Sequence, residues 1–338
     1  MESVFRRIAR LAAAAVGVVA LAGMAACGAP SSATSPTGEP SAPSSSSSEP
    51  IEVVASINQW GSLAGQIGGN YVEVTSILSS NGVEAHDFEP QTADVAKLSK
   101  ANVVVANGAG YDAWATKSLT KDIALVTAAE NVGASDGDDP HLWFSKDARN
   151  AMAQELADTY AKLRPEHKDY FQERLQDWQT DEKTLEQSMS EFSASHKGAS
   201  YVATESVARY LLADLGLKDV TPKGYAQAVA NGAEPAPADL SELTTLIEAR
   251  TADVVVNNPQ EASDATNMIT GVAHKSDVPV VDVTEQMPEG TDSLTDWIGD
   301  LVKGLDETLT SARAAASASA SASGTTASPT DTPPDPGK

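Results

Sequence analysis

Cysteine is nearly missing from this chain. Cys27 is the only one in 338 residues, which rules out disulfides within the chain and any metal site built from several thiolates. Positive charge is also short, with 23 Lys and Arg against 47 Asp and Glu and a formal net charge of −24. So acidic a molecule repels nucleic acid and anionic membrane, and it attracts cations without locating a site for them. No G-x-x-x-x-G-K-[ST] loop occurs, so the chain itself is not an ATPase, and no H-E-x-x-H marks a zinc protease. Aromatic residues make up 5%, yet 41% are hydrophobic, enough at this length for a sizeable core and about two domains.

The N-terminus carries an export signal. Arg6, Arg7 and Arg10 precede "LAAAAVGVVALAG", which is too short and small-sided for a membrane span. The segment ends in "MAAC". A lone cysteine after small alanines resembles a bacterial lipobox, with Met24 where leucine is usual; a plain secretory signal is the competing reading. The resemblance implies a signal peptide at residues 1–26, acylation of Cys27, and attachment to the outer face of the cell membrane. Residues 27–50 and 314–338 are rich in Ser, Ala and Pro. Both are expected to be disordered, the first as a tether.

Between these tails an α/β pattern occurs twice. "IEVVASI", "NYVEVTSIL", "NVVVANGAG" and "IALVTAAE" read as strands alternating with helical segments. "ASYVATES", "LKDVTP", "ADVVVNNP" and "VPVVDVT" repeat the scheme. Each set implies a parallel sheet covered by helices. The expected fold is therefore α/β with two similar lobes, residues 51–144 and 198–313. Residues 145–197 join them as one long, stiff helical connection broken at Pro165, so large lobe closure is not expected.

Ligands of open parallel sheets bind beyond the carboxyl ends of the strands. His86, in "GVEAHDFEP", follows the second strand after a short loop, and His141, in "DDPHLWF", precedes the long helix. Glu205 follows "SYVAT" and Glu285 follows "VPVVDVT". All four fall at loop mouths of one polarity. Two imidazoles and two carboxylates would balance a divalent cation, with neighbouring acids orienting the imidazoles. Residue types alone leave other readings open. A histidine beside acids is commonly solvated, Glu205 could cap the helix that follows it, and Asp282 competes with Glu285. His167, His196 and His274 are far from strand ends and read as surface residues.

A resemblance weighs on the choice. "VVASINQWGSLAGQIGGNYVEVTSIL" with "EAHDFEPQTADVAKLSKANVVVANGAGYDAW", then "DDPHLWFSKDARNAMAQELADTY", "TESVARYLLADLGL" and "VPVVDVTEQMPEG" occur in order. Together they resemble the metal-binding receptors of bacterial ABC importers, the TroA-like solute-binding proteins, over about residues 51–310. The resemblance implies metal ligands at His86, His141, Glu205 and Glu285, the fourth position being more often Asp in that family. It also implies a permease and an ATPase as partners, and a monomer. Many zinc receptors of the family carry a histidine-rich stretch ahead of the second ligand; "NVGASDGDDP" here has none.

Carboxylates suit harder ions, which favours Mn²⁺ or Fe²⁺ as the expected cargo, with Zn²⁺ close behind because zinc exceeds manganese in intrinsic affinity for nitrogen and oxygen donors. Affinity is expected to fall below about pH 6.5 as the imidazoles protonate. Two rival functions are a surface adhesin and, less well supported, a metallohydrolase, which would need an open coordination position and a general base.

Overall fold

The computed structural model describes residues 49–79, 88–288 and 290–323, so Cys27 and His86 lie outside the described residues. In the first lobe the elements are β1 (Ile51–Ile57), α1 (Asn58–Gly68), β2 (Val72–Leu78), α2 (Thr92–Leu98), β3 (Val103–Ala106), α3 (Ala113–Thr116), β4 (Ala124–Thr127) and α4 (Ala128–Val132). Two helices follow, α5 (Lys146–Leu163) and α6 (Lys168–Ser195). The second lobe holds β5 (Ser200–Ala203), α7 (Arg209–Asp214), β6 (Lys218–Asp219), α8 (Lys223–Ala230), α9 (Pro237–Glu248), β7 (Val254–Asn257), α10 (Asp264–Lys275) and β8 (Val280–Asp282). Helix α11 (Leu294–Ser323) closes the described chain.

Both sheets are parallel and share one plan. Their orders are β2-β1-β3-β4 and β6-β5-β7-β8, so strand order reverses between β1 and β3 and again between β5 and β7. The inner strands β1, β3, β5 and β7 are largely buried on both faces because both faces are covered, whereas the edge strand β6 is charged and exposed. Val103 and Val105 join the main core, whereas Val104 packs with Leu98 and Ala115 on the other side. Likewise Val254 and Val256 join the main core, and Val255 faces Leu243, Ile247 and Ile269 of α9 and α10.

The main core is continuous from one sheet to the other. Trp60 and Leu63 of α1, Met152, Leu156 and Tyr160 of α5, and Ile298, Val302 and Leu305 of α11 all belong to it. Helix α1 lies so close to β2 that a side chain at Gly61 would collide with Ser76. Helix α5 starts at Ser145, whose hydroxyl caps the Ala148 amide. It ends at Arg164, where Pro165 opens a 3-10 turn before α6. Helix α6 has 28 residues, about 42 Å at helical rise. Its buried stripe is Phe171, Leu175, Trp178, Glu182, Leu185, Met189 and Phe192, a spacing of alternating fours and threes with one acid in the middle. That acid, Glu182, pairs with the fully buried Arg149 of α5, Nε to Oε1 3.0 Å, and the guanidinium also donates to the Trp143 carbonyl.

Three expectations need correction. Helix α11 runs to Ser323, taking in the first ten residues of the tail expected to be disordered from 314, because the alanines of "AAASASASAS" favour helix where serine does not forbid it. His196 is buried, not superficial, with Nε2 2.8 Å from Asp306 Oδ1 on α11. His167 stacks on Tyr71 at 3.8 Å between ring centroids, and is half-buried. Among the described residues no helix is long and apolar enough to cross a membrane.

Candidate metal centre

Polar residues sit just past the strands' carboxyl ends, with Gln59 after β1, Asn107 after β3, Glu205 after β5, Asn258 after β7 and Glu285 after β8, and His141 lies in the loop ahead of α5. After β3 the chain turns through Gly108, at φ +76°, where a Cβ would meet Ala129 Cβ at 2.6 Å. Asp112 fastens this turn by accepting from the amides of Asn107 (2.6 Å) and Gly108 (2.8 Å). Asn107 in turn accepts from Trp60 Nε1 and donates to the Pro140 carbonyl at 2.7 Å. The residue before His141 is thereby held to the end of β3.

His141 is buried and packs edge-on against Trp143. Its Nδ1 lies 2.8 Å from Asp139 Oδ1, which also accepts from the His141 amide, so Nε2 is turned the other way. Nε2 lies 3.4 Å from Oε1 of Glu285, which is also buried. Burial opposes the imidazolium, but hydrogen bonds to Asp139 and Glu285, together with their charge, outweigh it and raise the His141 pKa to about 9. The Tyr111 hydroxyl is held protonated by its burial and by the charge of Glu285, to which it is hydrogen-bonded.

Glu205 lies two residues past β5 and is half-buried. Its Oε2 accepts from Asn258 Nδ2 at 2.7 Å, just beyond β7. Its charge, after burial, helps push the Tyr225 hydroxyl up to about 12. The neighbouring Ser206 hydrogen-bonds to Asp139, and the Tyr210 hydroxyl donates to the Asp139 carbonyl at 3.0 Å. The Glu205 turn therefore abuts the His141 loop. Glu205 does not cap α7, which starts four residues later at Arg209.

Asp282 and Glu285 are separated cleanly. Asp282 ends β8, is exposed, and accepts from Asn257 Nδ2 at 2.7 Å. Glu285 lies past the strand end and faces His141. Among the described residues no group of three or more His, Cys, Asp or Glu side chains is close enough to hold an ion. Of the four expected ligands, His141 and Glu285 meet, Glu205 stands in the adjoining turn, and His86 is outside the described residues. Sequence reasoning missed the supporting amides and hydroxyls, namely Gln59, Tyr111, Asn258, Gln260 and Gln286. The one available signal was their position just past strand ends.

A family model described as zinc-uptake complex component A, periplasmic (ZnuA), matches residues 53–308. The chain is 24% identical over 273 residues to the zinc-binding lipoprotein AdcA of Streptococcus pneumoniae, covering 72% of this chain and 52% of that protein. It thus spans about half the length of that relative. It is 28% identical over 144 residues to the manganese-binding lipoprotein MntA of Bacillus subtilis, 39% of this chain and 47% of MntA. Among solved structures, the laminin-binding protein Lmb of Streptococcus agalactiae, described as bifunctional with adhesin and metal-transporting activity, superposes with a TM-score of 0.66. It is 20% identical, and the match covers 77% of this chain and 99% of Lmb.

Proposed function

The chain belongs to the ZnuA family of periplasmic zinc-uptake components, and from that membership we propose that it is an extracytoplasmic receptor, anchored through Cys27, that captures a divalent transition metal and delivers it to an ABC permease. The ion sits among His86, His141, Glu205 and Glu285. The observation that carries this reading is the 3.4 Å separation of His141 Nε2 and Glu285 Oε1. A tetrahedral ion with bonds of about 2.0–2.1 Å holds neighbouring donors about 3.4 Å apart. That spacing suits a small ion between the two side chains as well as the proton they share without one.

Asp139 supports the role by occupying Nδ1, which leaves Nε2 for the cleft and raises the basicity of the ring. Without metal a proton sits on His141, shared toward Glu285. The incoming cation displaces that proton and is held by the same carboxylate. The family favours Zn²⁺ as cargo; the two carboxylates admit Mn²⁺ or Fe²⁺. Four protein ligands close a tetrahedral sphere, which fits carriage and not hydrolysis. Lmb favours a second reading, a surface adhesin of the same fold.

The test is metal uptake by cells lacking this protein, grown under metal limitation. Restoration by the native chain but not by His141→Ala supports the receptor. Equal restoration by both removes it, and laminin binding retained by His141→Ala with no uptake defect favours the adhesin.

A further inference from the structure

The Glu285 peptide is gripped from both lobes. From the second lobe, Gln260 Oε1 accepts from the amides of Glu285 (2.6 Å) and Gln286 (3.3 Å), while its Nε2 donates to Gln286 Oε1 at 2.8 Å. From the first lobe, Gln59 in the opening turn of α1 donates through Nε2 to the Glu285 carbonyl at 2.6 Å. The same face of α1 follows the chain onward. Asn58 donates to the Met287 carbonyl at 3.1 Å, and Ser62 donates to the Asp292 carbonyl and accepts from the Leu294 amide.

Gln59 is an odd choice for structure alone. It is fully buried, and its Oε1 has no hydrogen-bond partner among the described residues. A buried orphan oxygen costs free energy, while an apolar side chain of like volume would remove that orphan only by leaving the Glu285 carbonyl without its Gln59 donor. What the amide supplies is one donor, aimed at the peptide that carries Glu285.

We propose that Gln59 is a positioning residue of the first lobe that sets the Glu285 carboxylate of the second lobe against the metal. The proposal rests on Glu285 being a ligand. Gln59 touches no metal; it acts through the Glu285 peptide, so the fit of one lobe on the other fixes the placement of the carboxylate. Partners of this kind change metal affinity by about 10–100-fold when removed.

Gln59→Met keeps the volume and deletes the donor, and Gln59→Leu serves if the Met variant folds poorly. The zinc dissociation rate is measured by transfer to a chromophoric chelator, in the native background and in Glu285→Ala, beside the thermal midpoint of each metal-free protein. The proposal expects Gln59→Met to release zinc about tenfold faster with little change in the metal-free midpoint, since it removes the orphan Gln59 Oε1 and leaves the Glu285 carbonyl without its donor. In the Glu285→Ala background it expects less than a twofold further change, because the residue it acts through is gone. Equal acceleration in both backgrounds, or none in either, overturns the positioning role while leaving the ligand. If Glu285→Ala alone leaves zinc release unchanged, Glu285 is no ligand and the proposal falls with it.

Discussion

His141 Nε2 and Glu285 Oε1 stand 3.4 Å apart although 144 residues separate them and they come from different lobes. Each is nearly inaccessible to solvent. A titratable imidazole and a carboxylate left facing each other in a buried cleft bind either a proton or a cation, and the two compete for the site.

That competition moves the pH window expected from sequence. With the metal-free His141 pKa raised to about 9, the ring is charged at neutral pH and must lose a proton to ligate. Metal affinity should therefore rise about tenfold per pH unit from 6.5 to about 9, and level off above it. The stability of the metal-free protein runs the other way. A raised folded-state pKa contributes fully below the unfolded value of about 6.5 and is lost as pH climbs through about 9. Zinc titrations and thermal midpoints across pH 6 to 9.5 check both slopes; a flat affinity profile contradicts the proton–metal exchange.

Glu285 and Asp282 should differ sharply on substitution. Glu285→Gln removes a charged donor from the buried pair and should weaken zinc binding by about 100-fold, counting it as a first ligand and not a supporting partner. Asp282→Asn, on an exposed strand end bonded to Asn257, should change affinity less than twofold. Competition with a chelator of known affinity measures both.

The Arg149–Glu182 pair sits at the centre of the helical connection, with both side chains buried. Arg149→Met leaves Glu182 charged without its partner and should cost about 3–5 kcal/mol in unfolding free energy. Replacing both, as Arg149→Met with Glu182→Leu, should recover most of that loss, because the desolvated charge goes too. Denaturant unfolding of the metal-free proteins compares the two.

Much of this fold was legible in residue order. The apolar runs that became β1, β3 and β7 are buried on both faces, and such strands announce themselves by composition. The break at Pro165 was legible because proline cannot continue a helix. His196 was not, since its partner Asp306 lies 110 residues away on α11 and nothing local marks the pairing. The same holds at the metal centre. His141 and Glu285 could be chosen by motif and strand-end position, but Gln59, Gln260 and Asn258 are ordinary amides whose role arises only from what folding brings beside them. The raised His141 pKa was hidden likewise, as it depends on Glu285 from the other lobe as well as on adjacent Asp139.

Imidazole and carboxylate must share one ion if this chain is a metal receptor. X-ray absorption of the zinc-loaded protein, native and His141→Ala, tests this directly. One zinc per chain is predicted, with two imidazole nitrogens and carboxylate oxygens at about 2.0–2.2 Å, and the loss of one imidazole and most of the affinity in His141→Ala. A spectrum without imidazole scattering, or one unchanged by the substitution, would contradict it.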